Sequence, residues 1–440
     1  MLFNTDRQTL DDLNIFGKHG GESVYNIFNR TTTRGGALLL EEMFRYPLSD
    51  EQAINRRSGI IQYFSNAGTV FPFKSVLFDA VEPYLANTDE RTKLSKDDAS
   101  LGRKLGNIIG MDVQTALIYK GVDAIMQLLE GVEAFLLSLP ISPYDDEKAA
   151  ITLLLQKMPA YKEGKLSHAD IADYDIQFRF RHREEVHRLL RHLYLLDVYM
   201  AVSKVAAERK FVFPLALPRE KPVVILDGVY HPHVKNAVGN TLRVTPDSNL
   251  IFLTGANMAG KSTFMKSLGI ALFLAHMGFP VPAQRMEFSV LDGIYTTINL
   301  PDNLGMGASH FYAEVLRVKK MAQELSQSRR LFIVFDELFR GTNVQDAYEA
   351  TIAIASAFAQ KRNSLFVIST HIIEAGDVLK EKWDNISFKY LPTRMNGNTP
   401  MYTYTLETGI TADRHGMVII NNEGILDILE KGKVKKMIAS

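Results

Sequence analysis

At 440 residues, with 46% apolar and 23% charged side chains, the chain has room for two to four domains of roughly 150 residues and the composition of a soluble globular protein, which excludes a disordered tail, a collagen or a coiled-coil rod. Fifty Lys+Arg balance fifty Asp+Glu, so any hold on nucleic acid must come from local patches and not from bulk charge. No cysteine is present, which removes disulfides, thiolate metal sites and cysteine nucleophiles.

The opening residues place Asp6, Asp11 and Asp12 where an export signal needs its apolar run, so no such signal is read. No stretch reaches the about 18 uninterrupted apolar residues of a membrane span, and the longest candidate, 268–282, is broken by His276 and two prolines. The expectation is a soluble, cytoplasmic protein with no membrane partner. From the start to about residue 210 the pattern is helical. Segments 113–139 and 183–208 repeat apolar residues at three- and four-residue steps; in the second, Val186, Leu189, Leu190, Leu193, Leu196, Asp197 and Met200 trace one face. Helix breakers stand at 140–143 and at Pro159. Pro214, Pro218 and Pro222 fall within nine residues, and the domain linker is placed there.

Beyond Pro222 short apolar runs alternate with helical patterns. Residues 223–226, 250–254, Leu331–Phe335 and Leu365–Ser369 read as buried strands, helices follow the last three, and 290–298 reads as a further strand. This predicts a multidomain chain: an all-α part over 1–215, then an α/β part with a largely parallel sheet over 216–440. Residues 1–150 carry 15 Lys+Arg against 21 Asp+Glu, a difference of −6, and residues 151–210 carry 11 against 8, a difference of +3. The basic stretch is Arg179, Arg181, Arg183, Arg188 and Arg191, with His182, His187 and His192 between. Glu184 and Glu185 dilute it, which favours a solvated helix face over a DNA-facing surface.

Three segments carry chemistry. Gly255-Ala256-Asn257-Met258-Ala259-Gly260-Lys261-Ser262 fits G-x-x-x-x-G-K-[ST], follows the strand 250–254 and opens a helical run through Thr263, the context such a phosphate loop needs. Its backbone N–H groups and the helix N-terminus form an anion site for nucleotide phosphates. Lys261 is expected to reach the β- and γ-phosphates, and Ser262 to ligate Mg²⁺. The second segment is a buried strand ending in Asp336-Glu337, 76 residues past Gly260 (336 minus 260). Asp336 is placed to hold Mg²⁺ and Glu337 to serve as general base for an attacking water. The third is Ser369-Thr370-His371, where His371 is placed to sense the γ-phosphate.

These segments resemble the MutS family. Residues 254–263 look like its T-G-P-N-M-G-G-K-S-T, with Ala256 and Ala259 in place of the usual Pro and Gly. Asp336-Glu337-Leu-Phe-Arg340-Gly341-Thr342 is similar to its D-E-x-x-R-G-T, and Thr370-His371 to its T-H switch. Gly307-Ala308-Ser309-His310-Phe311 with Glu314 resembles the signature G-x-S-T-F-x-x-E, His231-Pro232 the early H-P, and Gly409-Ile410 with His415-Gly416 the late G-x-S-x-S-Y-G loop. In the helical half, Asp6 to Leu10, Asn29 to Gly36, Pro47-Leu48 with Ile54 to Arg57, and Leu195 through Pro214 resemble the family's core and returning lever helix.

The resemblance implies a helical core and lever domain over 1–215 and an ABC-type P-loop ATPase domain over 216–440, using ATP and Mg²⁺. It implies that Gly255 through Thr263 cradle the nucleotide, that a homodimer forms through the ATPase domain, and that Ser309 of one subunit completes the site of the other. It implies a DNA partner, duplex, mismatched or branched, in repair or recombination. The helical core begins almost at residue 1, and the sole Phe-x-Glu triplet is Phe335-Asp336-Glu337 itself, so no mismatch-reading or connector domain is read. The aromatic the family places near Ala237 for the adenine is missing. An ABC-type ATPase that drives or scaffolds a protein partner is the alternative. A small-molecule kinase fits less well, because adjacent Asp336-Glu337 suits water activation.

Overall fold

The computed structural model describes residues 3–17, 21–94, 113–160, 162, 164–220, 222–298, 310–339, 341–396, 399–411, 420, 424–426 and 428–429. By packing, the chain forms two units: residues 1–26, 46–55 and 210–440 make one, and residues 27–45 and 56–209 the other. Among the described residues no helix is long and apolar enough to cross a membrane.

The second unit is helical, with no strand among its described residues. The three- and four-residue periodicity becomes the helices Val113–Ser138 and Arg183–Arg209. The first stops before Pro140, because a proline forces the preceding residue out of the helical region. Asp145–Lys157 ends likewise ahead of Pro159, with Met158 extended at φ −88°, ψ 156°.

A single π-type turn, Gln177–Arg181, precedes the helix Arg183–Arg209 and turns Arg179 inward. Arg179 is fully buried against Asp175 and donates to Thr92 Oγ1 at 2.8 Å, while the Tyr84 hydroxyl donates to Asp175 Oδ1 at 2.9 Å. Burial and the Asp175 charge push the Tyr84 phenol well above its ordinary value. A guanidinium enters a core only when paired in this way. Arg188 is bonded to Glu184 at 2.6 Å, so two of the five arginines in the basic stretch are paired with a carboxylate.

The Asp197 carboxylate, on the apolar face of the long helix, caps another helix. It accepts Thr32 N–H at 2.9 and 3.0 Å, Thr33 N–H at 2.8 Å and the Thr33 hydroxyl at 2.7 Å, just before the helix Arg34–Arg45. Burial raises its pKa against those hydrogen bonds. Gly36 is what lets the two segments meet: a Cβ there would lie 2.5 Å from Asp197 Oδ2 and 2.8 Å from Thr33 Oγ1. Gly36→Ala gains up to about 1 kcal/mol of helix propensity but forces apart a filled, hydrogen-bonded contact. The expected net result is a loss of about 1–3 kcal/mol of stability, read by denaturant unfolding of the variant. A stability gain would mean that the contact yields freely.

Among its described residues the first unit holds two larger sheets and a two-stranded pair. The larger is six-stranded, built from β4 (Leu250–Gly255), β6 (Gly293–Thr297), β7 (Leu331–Phe335), β8 (Leu365–Ser369), β9 (Ile386–Leu391) and β12 (Glu407–Thr408), in the order β12-β9-β4-β8-β7-β6. The four pairings among β9, β4, β8, β7 and β6 are parallel; β12 joins antiparallel at the edge. β4, β6, β7 and β8 are buried along their whole length, as strands covered on both faces must be. The smaller sheet orders β1 (Leu215–Leu217), β5 (Arg285–Ser289), β2 (Val224–Val229) and β3 (Asn240–Val244). The expected strand at 223–226 therefore lies outside the parallel sheet, paired antiparallel to both β3 and β5. β10 (Thr393–Asn396) and β11 (Thr399–Tyr402) pair only with each other.

The α/β unit also takes in N-terminal residues. Residues 3–15 and 46–55 pack into the α/β unit, for reasons that are long-range. Asn4 forms a parallel bridge to Gly293 on the edge of β6, and Leu13 fills the space that a side chain at Gly269 would need. Thr9 and Asp12 bind Thr296, and Asp6 pairs with Arg317 and Lys320, whose charges outweigh burial and hold its carboxyl well below the usual range. Asn55 makes two 2.9 Å bonds to the backbone of Ala216.

Leu48 and His276 form another of these joints. His276 is fully buried; its Nδ1 meets Leu48 O at 2.9 Å, and its ring lies 4.3 Å from that of Phe3. Burial pulls its pKa down to about 4. With the folded value below the unfolded one, the neutral ring's contribution is complete above about pH 6.5 and is lost as pH falls toward 4. The expected cost between pH 7 and 5 is about 2 kcal/mol, measured by denaturant unfolding at the two pH values. His276→Gln should flatten that part of the profile; an unchanged slope would remove His276 as the cause.

Candidate phosphate-loop site

β4 runs straight into the loop 256–260 and the helix Lys261–His276. Gly260 is the N-cap at φ 100°, a conformation that side chains resist, and Met258 sits at φ 69° on the exposed tip. The N–H groups of the helix's first turn have no partner within the helix, so this end is built to receive an anion. The Lys261 ammonium turns back onto the loop, donating to Gly255 O at 2.8 Å and Ala256 O at 3.2 Å. Burial lowers its pKa, and the charges of Asp336 and Glu337 oppose that.

The neighbouring strands bring the other groups in. β4, β8 and β7 are adjacent and parallel, so the ends of all three open on one edge, where ligands of such sheets bind. The Ser262 hydroxyl donates to Asp336 Oδ2, and the Ser369 hydroxyl to Asp336 Oδ1 at 2.6 Å. Asp336 N–H donates to Thr297 O at 2.9 Å, anchoring the turn after β7 to the end of β6. Glu337 follows at φ 52°, a left-handed backbone rare for a side-chain-bearing residue and costly enough to mark a constrained site. Its Oε1 lies 2.8 Å from His371 Nε2. Residues 74 apart in sequence, Ser262 and Asp336, thus touch, as do Glu337 and His371.

A cleft of about 590 Å³ extends from the loop, within the range of small-ligand sites. It is lined by the loop residues from Ala256 to Phe264, by the segment 234–238, and by Leu391 and Tyr404. His231 also lines it, its pKa pulled down to about 4 by burial, with His233 and Lys266 adding to that. Ala237 contributes no ring, but Tyr404 does. Tyr404 and Asn240, which binds the Tyr404 backbone, escape a reading of the sequence: Tyr404 is 144 residues beyond Gly260 (404 minus 260), and no spacing rule links them.

Among the remaining expected residues, Glu314 is buried, and Gly409 N–H donates to Phe388 O at 2.9 Å, tying the late loop to β9. Thr411 N–H donates to Thr254 Oγ1 at 3.2 Å, at the end of β4. Gly307, Ala308 and Ser309, together with Arg340, His415 and Gly416, lie outside the described residues.

A strand, a glycine-bordered loop, a helix behind it, and acidic residues at the end of a neighbouring parallel strand define the first unit as an α/β domain of the P-loop class. Residues 251–436 match the family model for MutS domain V. Over 402 residues the chain is 24% identical to the DNA mismatch repair protein MutS of Petrotoga mobilis (strain DSM 10674 / SJ95), an alignment covering 89% of this chain and 47% of that protein. Residues 251–436 thus belong to the MutS domain V family, and the chain spans about half the length of the curated relative it matches.

Proposed function

We propose that this chain is a MutS-type ATPase: that the α/β unit binds ATP with Mg²⁺ and hydrolyses it, that it works as a homodimer through that unit, and that it acts on duplex, mismatched or branched DNA, with the helical unit as core and lever. The observation that carries the ATPase reading is the convergence of Ser262, Asp336, Glu337 and His371 beside the phosphate loop.

Mg²⁺ fits the donors. Among the described residues no cluster of three His, Cys, Asp or Glu forms a protein cage, whereas Ser262 and Asp336 supply two hard oxygens side by side. A cation that keeps its waters and shares phosphate oxygens needs no more than that. When bound, it neutralises charge on the β- and γ-phosphoryl oxygens. The loop N–H groups hold the phosphates, and Lys261 leaves the carbonyls of Gly255 and Ala256 to bind them. Glu337 takes the proton from the attacking water as the bond to the leaving ADP breaks, and His371 orients Glu337 and meets the γ-phosphate.

The DNA reading rests on the MutS relationship. It is tested by binding of duplex, mismatched and four-way-junction DNA over a salt series; a DNA binder loses affinity steeply as salt rises. The alternative, an ATPase that drives a protein partner, is favoured by one observation: Arg179 is buried and Arg188 is paired, which removes two cations from the most basic stretch. Salt-insensitive or absent DNA binding would move the reading there.

The dimer reading assigns Ser309 to the partner's γ-phosphate. Ser309→Arg and Lys261→Ala subunits, each nearly inactive alone, are expected to recover partial activity when mixed, because one of the two shared sites is then intact. Mixed dimers that form and stay inactive would refute shared sites.

A further inference from the structure

We propose that Arg317 is a positioning residue for the carboxylate of Asp336, and that Asp6, on the N-terminal segment, acts through it, so that a buried ion pair away from the phosphate loop sets how tightly the site takes its metal. This rests on the reading above of Ser262 and Asp336 as the Mg²⁺ ligands. Asp336 follows β7, and its N–H is held at 2.9 Å by the carbonyl of Thr297, the last residue of β6. β6 is an edge strand of the six-stranded sheet, and the outer side of such a strand leaves backbone groups without a strand to meet them. Side chains take that place at Thr296: its N–H donates to Thr9 Oγ1 at 2.9 Å, and its carbonyl accepts from Arg317 Nη2 at 2.7 Å.

Arg317 lies on the helix His310–Ser326 and is only 8% exposed. Its planar fork serves three partners at once. Nη2 reaches Thr296 O, Nε donates to Thr297 Oγ1 at 3.1 Å, and both terminal nitrogens bind the Asp6 carboxylate, Nη2 at 3.1 Å from Oδ1. A guanidinium buried this far needs a carboxylate beside it, and Asp6 supplies one. Lys320, at the rim, adds a 2.6 Å bond to the same carboxylate. Asp12 holds the strand end as well: its Oδ2 accepts the Thr296 hydroxyl at 2.8 Å and Ile298 N–H at 2.9 Å. The end of β6 is thus fixed by one arginine and two N-terminal carboxylates, and Thr297 O carries that fixation to Asp336. Groups that orient a metal ligand from behind typically change metal affinity about ten- to a hundredfold when removed. An ion pair that only held the fold together would leave metal affinity where it was.

The experiment measures the affinity of a non-hydrolysable ATP analogue, once with Mg²⁺ and once with EDTA, for the full chain and its Arg317→Lys, Arg317→Gln, Asp6→Asn and Lys320→Ala variants, beside their denaturant unfolding. Affinity in EDTA reports the phosphate loop, and the gain on adding Mg²⁺ reports the metal. Lys at 317 keeps the charge but loses the fork. Asn at 6 keeps an oxygen for Thr9 N–H, which Asp6 Oδ1 accepts at 3.0 Å, and loses the charge. Expected in both Arg317 variants and in Asp6→Asn is an unchanged affinity in EDTA and a Mg²⁺ gain cut about ten- to a hundredfold, with the Mg²⁺ needed for half-maximal hydrolysis raised in step. Asp6→Asn should add little to Arg317→Gln, because the one acts through the other. Lys320→Ala, which removes an exposed partner, should stay within about threefold. Folded variants that keep the native Mg²⁺ gain overturn the assignment whatever stability they lose, and so does an equal loss with Mg²⁺ and with EDTA, which would make the network a support for the loop. If the Arg317 variants do not fold, Asp6→Asn decides by the same readings. If the unaltered chain binds the analogue in EDTA and gains nothing from Mg²⁺, the metal reading of Asp336 fails and takes Arg317 with it; if it binds under neither condition, the ATP site itself fails.

Discussion

Glu337→Gln is expected to bind ATP with near-native affinity and to turn it over on the order of 10²–10⁴-fold more slowly, the usual cost of removing a base from a positioned water. Gln has the shape of Glu and keeps a hydrogen-bonding end for His371 Nε2, which lies 2.8 Å from Glu337 Oε1. The constrained backbone at φ 52° is no worse for Gln than for Glu. Folding and nucleotide affinity are therefore expected to survive, and the loss should fall on the chemical step alone. Steady-state hydrolysis together with a separate nucleotide-binding measurement checks both halves. Turnover within about threefold of the unaltered chain would exclude Glu337 as the base, since even weak base catalysis exceeds that.

Lys261→Ala is expected to abolish tight ATP·Mg²⁺ binding, a loss of about a hundredfold or more if one charge-assisted contact of up to about 3 kcal/mol disappears. The ammonium is buried and satisfied by the carbonyls of Gly255 and Ala256, at 2.8 and 3.2 Å. Its removal also leaves those carbonyls without their donor, so the loop itself relaxes. Isothermal titration with ATP separates this from a catalytic defect. Native affinity in the variant would sink the phosphate-loop assignment.

The elements nearest the site are the ones most legible from residue order. The apolar runs 250–254, Leu331–Phe335 and Leu365–Ser369 become β4, β7 and β8 almost residue for residue. A strand buried on both faces must be continuously apolar, and the residue that ends it is the first that can face solvent. That is why Asp336-Glu337 and, past the buried Ser369 and Thr370, His371 stand out in one dimension. Less visible was the part that Ser369 plays. Its hydroxyl bridges to Asp336 Oδ1 at 2.6 Å, a contact that exists only because β7 and β8 are neighbours in the sheet. The smaller sheet was legible only in its strand β2. β1 and β5 pair through residues 72 apart (287 minus 215), in runs too short for periodicity to speak.

Residue order alone carries the phosphate loop, the carboxylate pair, the helical periods 113–139 and 183–208 and the breakers that stop them, because each depends on neighbours within a turn or a strand. Tertiary packing alone decides what depends on partners far along the chain. It assigns residues 3–15 to the α/β unit, where Asn4 bridges to Gly293 on the edge of β6 and Leu13 occupies the space beside Gly269. It takes Arg179 out of a basic stretch and buries it on Asp175, because a π-type turn rotates the side chain inward. It sets Asp197, on an otherwise apolar face, as the cap of a helix that begins at Arg34. And it brings Tyr404 to the loop at Gly260, a meeting that Asn240 enforces from a third segment and that no local pattern encodes.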